Sequence, residues 1–270
     1  MKIVILFLLG LVSVEMFSQK NFELYHEETE NGFVIHADND EHSPVSVLMN
    51  FRLENLESSN GNNKVFVVPA RTKKFMISNL TVIDRKKRIK LGYESTYNHG
   101  NHNLEKYDTD YEYHLPFKKG ATFWLSQGYN GAISHQNEYA LDFKMPVGTG
   151  IYAARDAVVI QVEESFEKSC TTSECAKFNN FILVYHSDGT FAEYTHIKKN
   201  GSKVEEGDTI KKGQLIGSSG DVGWATGPHL HFVVFFQKLK ERVTLKTKFL
   251  TEKGKKPITL TEKVQYTRDY

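Results

Sequence analysis

The sequence predicts a mainly β protein: a small N-terminal β-sandwich followed by a compact, mostly antiparallel β-sheet domain. Three observations carry this. Short runs rich in β-branched and aromatic residues recur along the 270 residues, separated by Asn, Asp, Ser and Gly clusters. Apolar spacing of the helical kind is absent over any long stretch. From Gly120 onward, glycines stand at the corners between the runs, where a tight β fold needs sharp turns and close backbone approach.

Composition removes several functions. Lys plus Arg number 34 and Asp plus Glu 33, a net charge of +1. So neutral a chain has no global field to hold nucleic acid or an anionic bilayer, so no nucleic-acid partner is expected and any charged ligand must be recognised locally. The 40% hydrophobic fraction excludes a disordered tail. Two cysteines exclude a disulfide-dense scaffold and a four-cysteine zinc site. The eleven histidines are what composition leaves unexplained.

Taken in order, residues 1–19 read as a signal peptide: Lys2, the apolar run Ile3 to Val14, then polar Ser18, Gln19 and Lys20. The run is too short to span a bilayer, and no other approaches that length, so the expected protein is exported, to a periplasm or beyond the cell, without stable membrane insertion. An oxidising compartment permits a Cys170–Cys175 disulfide, favoured over a free or metal-binding pair because a second Cys or His pair at zinc-finger spacing is missing.

Residues 20–112 carry strand-like runs at 32–37, 45–53, 64–68 and 75–82 with turn residues between them, the pattern of the small β-sandwich. His99 and His102 fall in an Asn/Gly/His loop without a carboxylate cluster and read as solvated loop. A linker, 107–111, leads into the second domain, 113–240, and closing strands are expected in 241–270, at 247–250 and 258–260.

The second domain holds the chemistry. His229-Leu230-His231 opens an apolar run, and on a strand residues two apart face the same side, so both imidazoles enter one space. Asp142 lies between Leu141 and Phe143, where a carboxylate is costly without a cation or donors. His135 precedes it in a polar loop, and His196 ends the aromatic run Glu193-Tyr194-Thr195. Together these are the parts of an open zinc site: three ligands, two further imidazoles and room for water.

The strings His135…Asp142, Tyr194-Thr195-His196-Ile197, Val204 to Gly217 and Gly227-Pro228-His229-Leu230-His231-Phe232 resemble, in that order, the lysostaphin/LytM-like zinc endopeptidases of bacterial cell walls, over about Leu125 to Phe236. The resemblance implies one Zn2+ per chain held by His135, Asp142 and His231, with His196 and His229 as unliganded catalytic imidazoles. It implies peptidoglycan peptide stems as substrate, cut by a metal-activated water. Six residues separate His135 from Asp142, where many members have three, so His135 must lie on a loop that folds back. Tyr129 reads as a packing residue, with oxyanion donation as the alternative, and His186 as part of a hairpin turn. The Val204–Gly217 string also resembles hairpins of lipoyl and biotin carriers but has no attachment lysine at the tip, and so supports the fold. The alternatives are a non-catalytic wall-binding or activator module on the same fold, and a protease acting on glycine-rich extracellular proteins.

Overall fold

The computed structural model describes residues 21–251 and 254–270; the expected signal peptide lies outside them. The chain divides into two units, one running to Asn103 and including Gln237–Glu241, the other made of Leu104–Phe236 and Arg242–Tyr270. Tyr107 and Tyr111, in the stretch that the sequence suggests as a linker, pack on the core of the second unit. The Arg155 guanidinium lies 3.9 Å above the Tyr111 ring.

The first unit contains β1 (Phe22–Thr29), β2 (Gly32–Asn39), β3 (Val45–Glu54), β4 (Leu56–Ser58), β5 (Lys64–Val68), β6 (Thr72–Val82) and β7 (Lys90–His99). They form two sheets, β1-β2-β6-β4 and β5-β3-β7. Alternation sets which side chains enter the core. On β2, Phe33, Ile35 and Ala37 are buried, and on β3, Val45, Val47, Met49 and Phe51, all in one cluster. Each such large side chain contributes about 1.5–3 kcal/mol on burial.

The second unit continues with β8 (Glu112–Tyr113), β9 (Thr122–Gln127), β10 (Ala140–Lys144), β11 (Gly150–Tyr152), β12 (Ala157–Glu163), β13 (Ser169–Cys170), β14 (Phe181–Tyr185) and β15 (Phe191–Thr195). Next come β16 (Ile197–Ser202), β17 (Thr209–Ile210), β18 (Leu215–Ser219), β19 (Gly223–Trp224), β20 (Leu230–Gln237) and β21 (Arg242–Thr244). The last are β22 (Lys248–Thr251), β23 (Lys256–Ile258) and β24 (Val264–Thr267). The main sheet runs β17-β12-β14-β15-β20-β10-β9-β24, with β21 also on β20. The pairings within it are antiparallel, whereas the short pairs β13–β19 and β8–β22 are parallel.

The central strand β20 reads as a continuous apolar run because both of its faces are covered. Leu230, Phe232 and Val234 enter the main core with Leu141, Phe143, Tyr194 and Phe249, while Val233 and Phe235 join a smaller cluster on the opposite face with Ala140, Leu183 and Phe191. The C-terminal strands differ from the sequence reading in one respect. Residues 259–260 are outside β23, and the chain's last strand, β24, extends the main sheet at the edge of β9. Only Tyr266 of β24 is buried, as on an edge strand that exposes most of its side chains to water.

Candidate metal centre

Strand register brings the polar residues of the second unit together. Asp142 on β10 is directly opposite His231 on β20 and Gln127 on β9, while Thr195 on β15 is opposite His231 from the other side. Directly opposed residues share a sheet face, so Gln127, Asp142, His231 and Thr195 all project from the face that also carries Ala140 and Val233.

His135 arrives from the loop between β9 and β10. Asn130 (φ 55°) and Asn137 (φ 60°) take the left-handed conformation that Asn tolerates, and Asn130 N–H donates to the Glu138 carbonyl at 2.9 Å, folding the loop back on itself. The six-residue spacing therefore does not hold His135 away from Asp142. His135 Nε2 lies 3.2 Å from Asp142 Oδ1, His231 Nδ1 lies 3.0 Å from the same oxygen, and the two ring nitrogens are 3.3 Å apart. These three donors fit a zinc ion. Four-coordinate zinc with bonds of about 2.0–2.1 Å has tetrahedron edges of about 3.3 Å, close to the observed triangle. Nitrogen and carboxylate oxygen are also donor types that zinc accepts.

Electrostatics within the triangle are coupled. Burial works against the ionised Asp142, but hydrogen bonds from His135 and His231 outweigh it and hold its carboxyl well below the usual range. Burial likewise opposes protonation of His135, and the Asp142 hydrogen bond and charge outweigh it, raising the His135 pKa above the ordinary histidine value. Because zinc ligands bind as carboxylate and neutral imidazole, metal affinity of such a triangle is expected to depend on pH.

Three of the four histidines are oriented by backbone carbonyls. His135 Nδ1 bonds the Gly128 carbonyl at 3.0 Å, His196 Nδ1 the Val222 carbonyl at 2.7 Å and His229 Nδ1 the Gly227 carbonyl at 2.8 Å. A carbonyl only accepts, so each Nδ1 carries the hydrogen, and in the neutral ring Nε2 carries the lone pair. His231 is the exception, presenting Nδ1 to the triangle.

His196 and His229 stand beside the triangle, their ring centroids 4.5 Å apart; that of His196 is 6.1 Å from that of His231. His229 Nε2 is 3.8 Å from Asp142 Oδ1. His196 has a left-handed backbone, φ 65°, a costly state for a non-glycine residue that persists only when its surroundings over-determine it. Here His196 N–H donates to the Asn180 carbonyl at 2.8 Å and its own carbonyl accepts Gly220 N–H at 2.7 Å. A side chain at Gly220 would strike the Lys198 backbone at 2.7 Å, so only glycine permits this approach. Burial, followed by the charges of His229 and His231, lowers the His196 pKa to about 3, so the ring is neutral at ordinary pH.

Gln127 carries no signal in the sequence, yet it links two of the parts. It is 5% exposed, its Nε2 donates to Asp142 Oδ2 at 2.9 Å and to Ser134 Oγ at 2.8 Å, and its Oε1 accepts Ile133 N–H and Ser134 N–H. Only its register partner, the embedded Asp142, could have pointed to it. By holding Oδ2, Gln127 leaves Oδ1 to face the triangle.

The remaining candidates lie apart. Tyr129 OH is engaged by Thr247, 2.7 Å from its Oγ1 and accepting its N–H at 3.1 Å, which leaves the packing reading rather than the oxyanion one. His186 is part of a turn network in which its Nδ1 meets Thr190 Oγ1 at 2.9 Å and Thr190 Oγ1 donates to Asp188 at 2.7 Å. His99 and His102 belong to the first unit, and His99 is not a solvated loop residue but the buried end of β7, where its Nδ1 meets Ser43 Oγ. Cys170 and Cys175 are joined as a disulfide.

Residues 136–243, less than half of the chain, match the model of peptidase family M23. The peptidoglycan DD-endopeptidase ShyA of Vibrio cholerae is 34% identical over 91 residues, 34% of this chain and 18% of that protein. The glycyl-glycine endopeptidase ALE-1 of Staphylococcus capitis is 35% identical over 118 residues, 43% of this chain and 28% of that protein. The match thus spans less than a third of either relative's length. Among solved structures, the catalytic domain of the antimicrobial peptidase lysostaphin from Staphylococcus simulans is 26% identical, covering 45% of this chain and 86% of that one, at a TM-score of 0.34.

Proposed function

We propose that this chain is an exported zinc-dependent endopeptidase that hydrolyses peptide cross-links of bacterial peptidoglycan. The observation that carries the reading is the triangle of His135 Nε2, Asp142 Oδ1 and His231 Nδ1, flanked by two further imidazoles. Its substrate class follows the activities for which the endopeptidase relatives are named.

A zinc ion held by these three residues would supply Lewis acidity, polarising a scissile carbonyl and lowering the pKa of water toward about 7. The protein supplies the proton path. The buried, neutral His196, with Nδ1 on a carbonyl, presents its Nε2 lone pair to orient the attacking water, and His229, with Nδ1 likewise on a carbonyl, presents Nε2 to accept a proton from it. Once protonated, the same nitrogen donates to developing negative charge or to the departing amine. Gln127 fixes the carboxylate, and the Gly128 carbonyl fixes His135, so little reorganisation is left for the reaction itself.

The test is zinc per chain together with turbidity loss of purified cell walls, for the wild type and His231→Ala. The expected wild type binds one zinc and clears walls, and the variant does neither. A wild type without stoichiometric zinc that clears walls no faster than the variant contradicts the proposal.

A further inference from the structure

The loop Gly128–Tyr139 that carries His135 has no strand of its own, and its two ends are held from outside the M23 match. At its start, Tyr129 OH lies 2.7 Å from Thr247 Oγ1, accepts Thr247 N–H at 3.1 Å, and lies 3.3 Å from the Thr247 carbonyl. Beside it, Gly128 N–H donates to Glu262 Oε2 at 3.3 Å, and a Cβ on Gly128 would meet Glu262 Cβ at 3.2 Å, so the two segments are in close contact. Lys263 N–H donates to the Leu125 carbonyl at 2.7 Å, fixing Glu262 against β9. At the loop's end, Tyr139 N–H donates to Thr244 Oγ1 at 2.9 Å. The Tyr129 and Tyr139 rings then close on one another edge to face, 5.8 Å apart.

We propose that Thr244, Thr247 and Glu262 form a clasp on both ends of this loop and thereby position the metal ligand His135. The inference rests on reading His135 as a ligand. The path is short. The Gly128 peptide is gripped through its N–H by Glu262 and through the next residue's side chain by Thr247, and the Gly128 carbonyl accepts both His135 Nδ1–H and Gly131 N–H. A displaced Gly128 peptide would turn the imidazole and swing Nε2 out of the donor triangle. All three clasp residues lie in the C-terminal stretch, between Thr244 and Glu262. They are positioning residues, since none of them contacts the donor atoms.

The experiment uses the full chain with Tyr129→Phe, Thr244→Val and Glu262→Ala, singly and combined. Three quantities are read: affinity for Zn2+ in competition with a chromophoric chelator, amide hydrogen exchange of residues 128–139 in metal-free protein, and the thermal midpoint. Loss of outer-shell support lowers metal affinity by about ten-fold or more. The combined variant is therefore expected to bind zinc at least about ten-fold more weakly, with faster exchange confined to the loop and an intact cooperative transition. Glu262→Gln, which keeps a side-chain oxygen acceptor, should retain affinity. If the combined variant does not fold, the single variants carry the test. A folded variant with wild-type zinc affinity and unchanged loop exchange overturns the clasp. A wild type that takes up no zinc overturns the reading of His135 as a ligand, and loop exchange alone then decides whether the clasp holds.

Discussion

Asp142 lies mid-strand between two fully buried apolar neighbours, Leu141 and Phe143, and its ionised form is tolerated because both oxygens are met. Gln127 satisfies Oδ2 and the two ring nitrogens face Oδ1, so removing Gln127 leaves a buried lone pair and an unguided carboxylate. Gln127→Met is expected to fold and to bind zinc roughly 10- to 100-fold more weakly, measured by chelator competition. A second residue sets a pH limit on the first unit. His99 is buried against Ser43, and burial lowers its pKa to about 4. The unfolded ring titrates near about 6.5, so below that pH the unfolded chain gains a proton that the folded chain refuses. Stability is complete above about 6.5, falls as pH drops toward 4, and levels off below, a loss of about 3 kcal/mol from this group. Urea unfolding of wild type and His99→Gln across that range checks it: the variant's stability should fall less steeply.

At the scale of elements, the disulfide loop buttresses the wall that orients two imidazoles. Cys170 carbonyl accepts Ala225 N–H at 3.1 Å, Lys168 carbonyl accepts Gly223 N–H at 2.7 Å, and Asn179 Oδ1 accepts Trp224 N–H at 3.0 Å. The segment so held supplies the Val222 carbonyl to His196 and the Gly227 carbonyl to His229. Among the described hydrogen bonds, those of the His135, Asp142 and His231 side chains go elsewhere. The Cys170→Ser/Cys175→Ser variant is therefore expected to keep its zinc while kcat falls roughly 10- to 100-fold, as misplaced catalytic groups do. Paired zinc analysis and turnover measurements check this, and an equal loss of both would contradict it. Legibility in the sequence follows the range of the interactions. His229 and His231 were readable because a two-residue repeat on a strand is a local rule, and Asp142 because its apolar neighbours are adjacent in sequence. Gln127 and the clasp were not, because their meaning lies in register and in contacts more than 100 residues apart, such as Tyr129 with Thr247. Tyr129 was left between two readings for the same reason. Closing strands were expected in 241–270, but β24 lies beyond the two pieces named, because a strand with one buried side chain offers little alternation to read.

For the whole molecule, a net charge of +1 supplies no global field, so the proposed recognition of a wall would rest on local contacts. Cosedimentation of the protein with purified peptidoglycan should accordingly change little between low and high salt. The donor triangle lies in the second of the two units. Aromatic packing of Tyr107 and Tyr111 ties the stretch read as linker into the second core. On the proposed function, the donor triangle and its two imidazoles hydrolyse a peptide bond of the wall. Mass spectrometry of fragments released from purified peptidoglycan tests it most directly. The wild type is predicted to release fragments with a new amino and a new carboxyl terminus at a stem or bridge peptide bond, with glycan ends unchanged and His231→Ala inert. Zinc-loaded wild type that releases no such fragments, or fragments cut in the glycan, would contradict it.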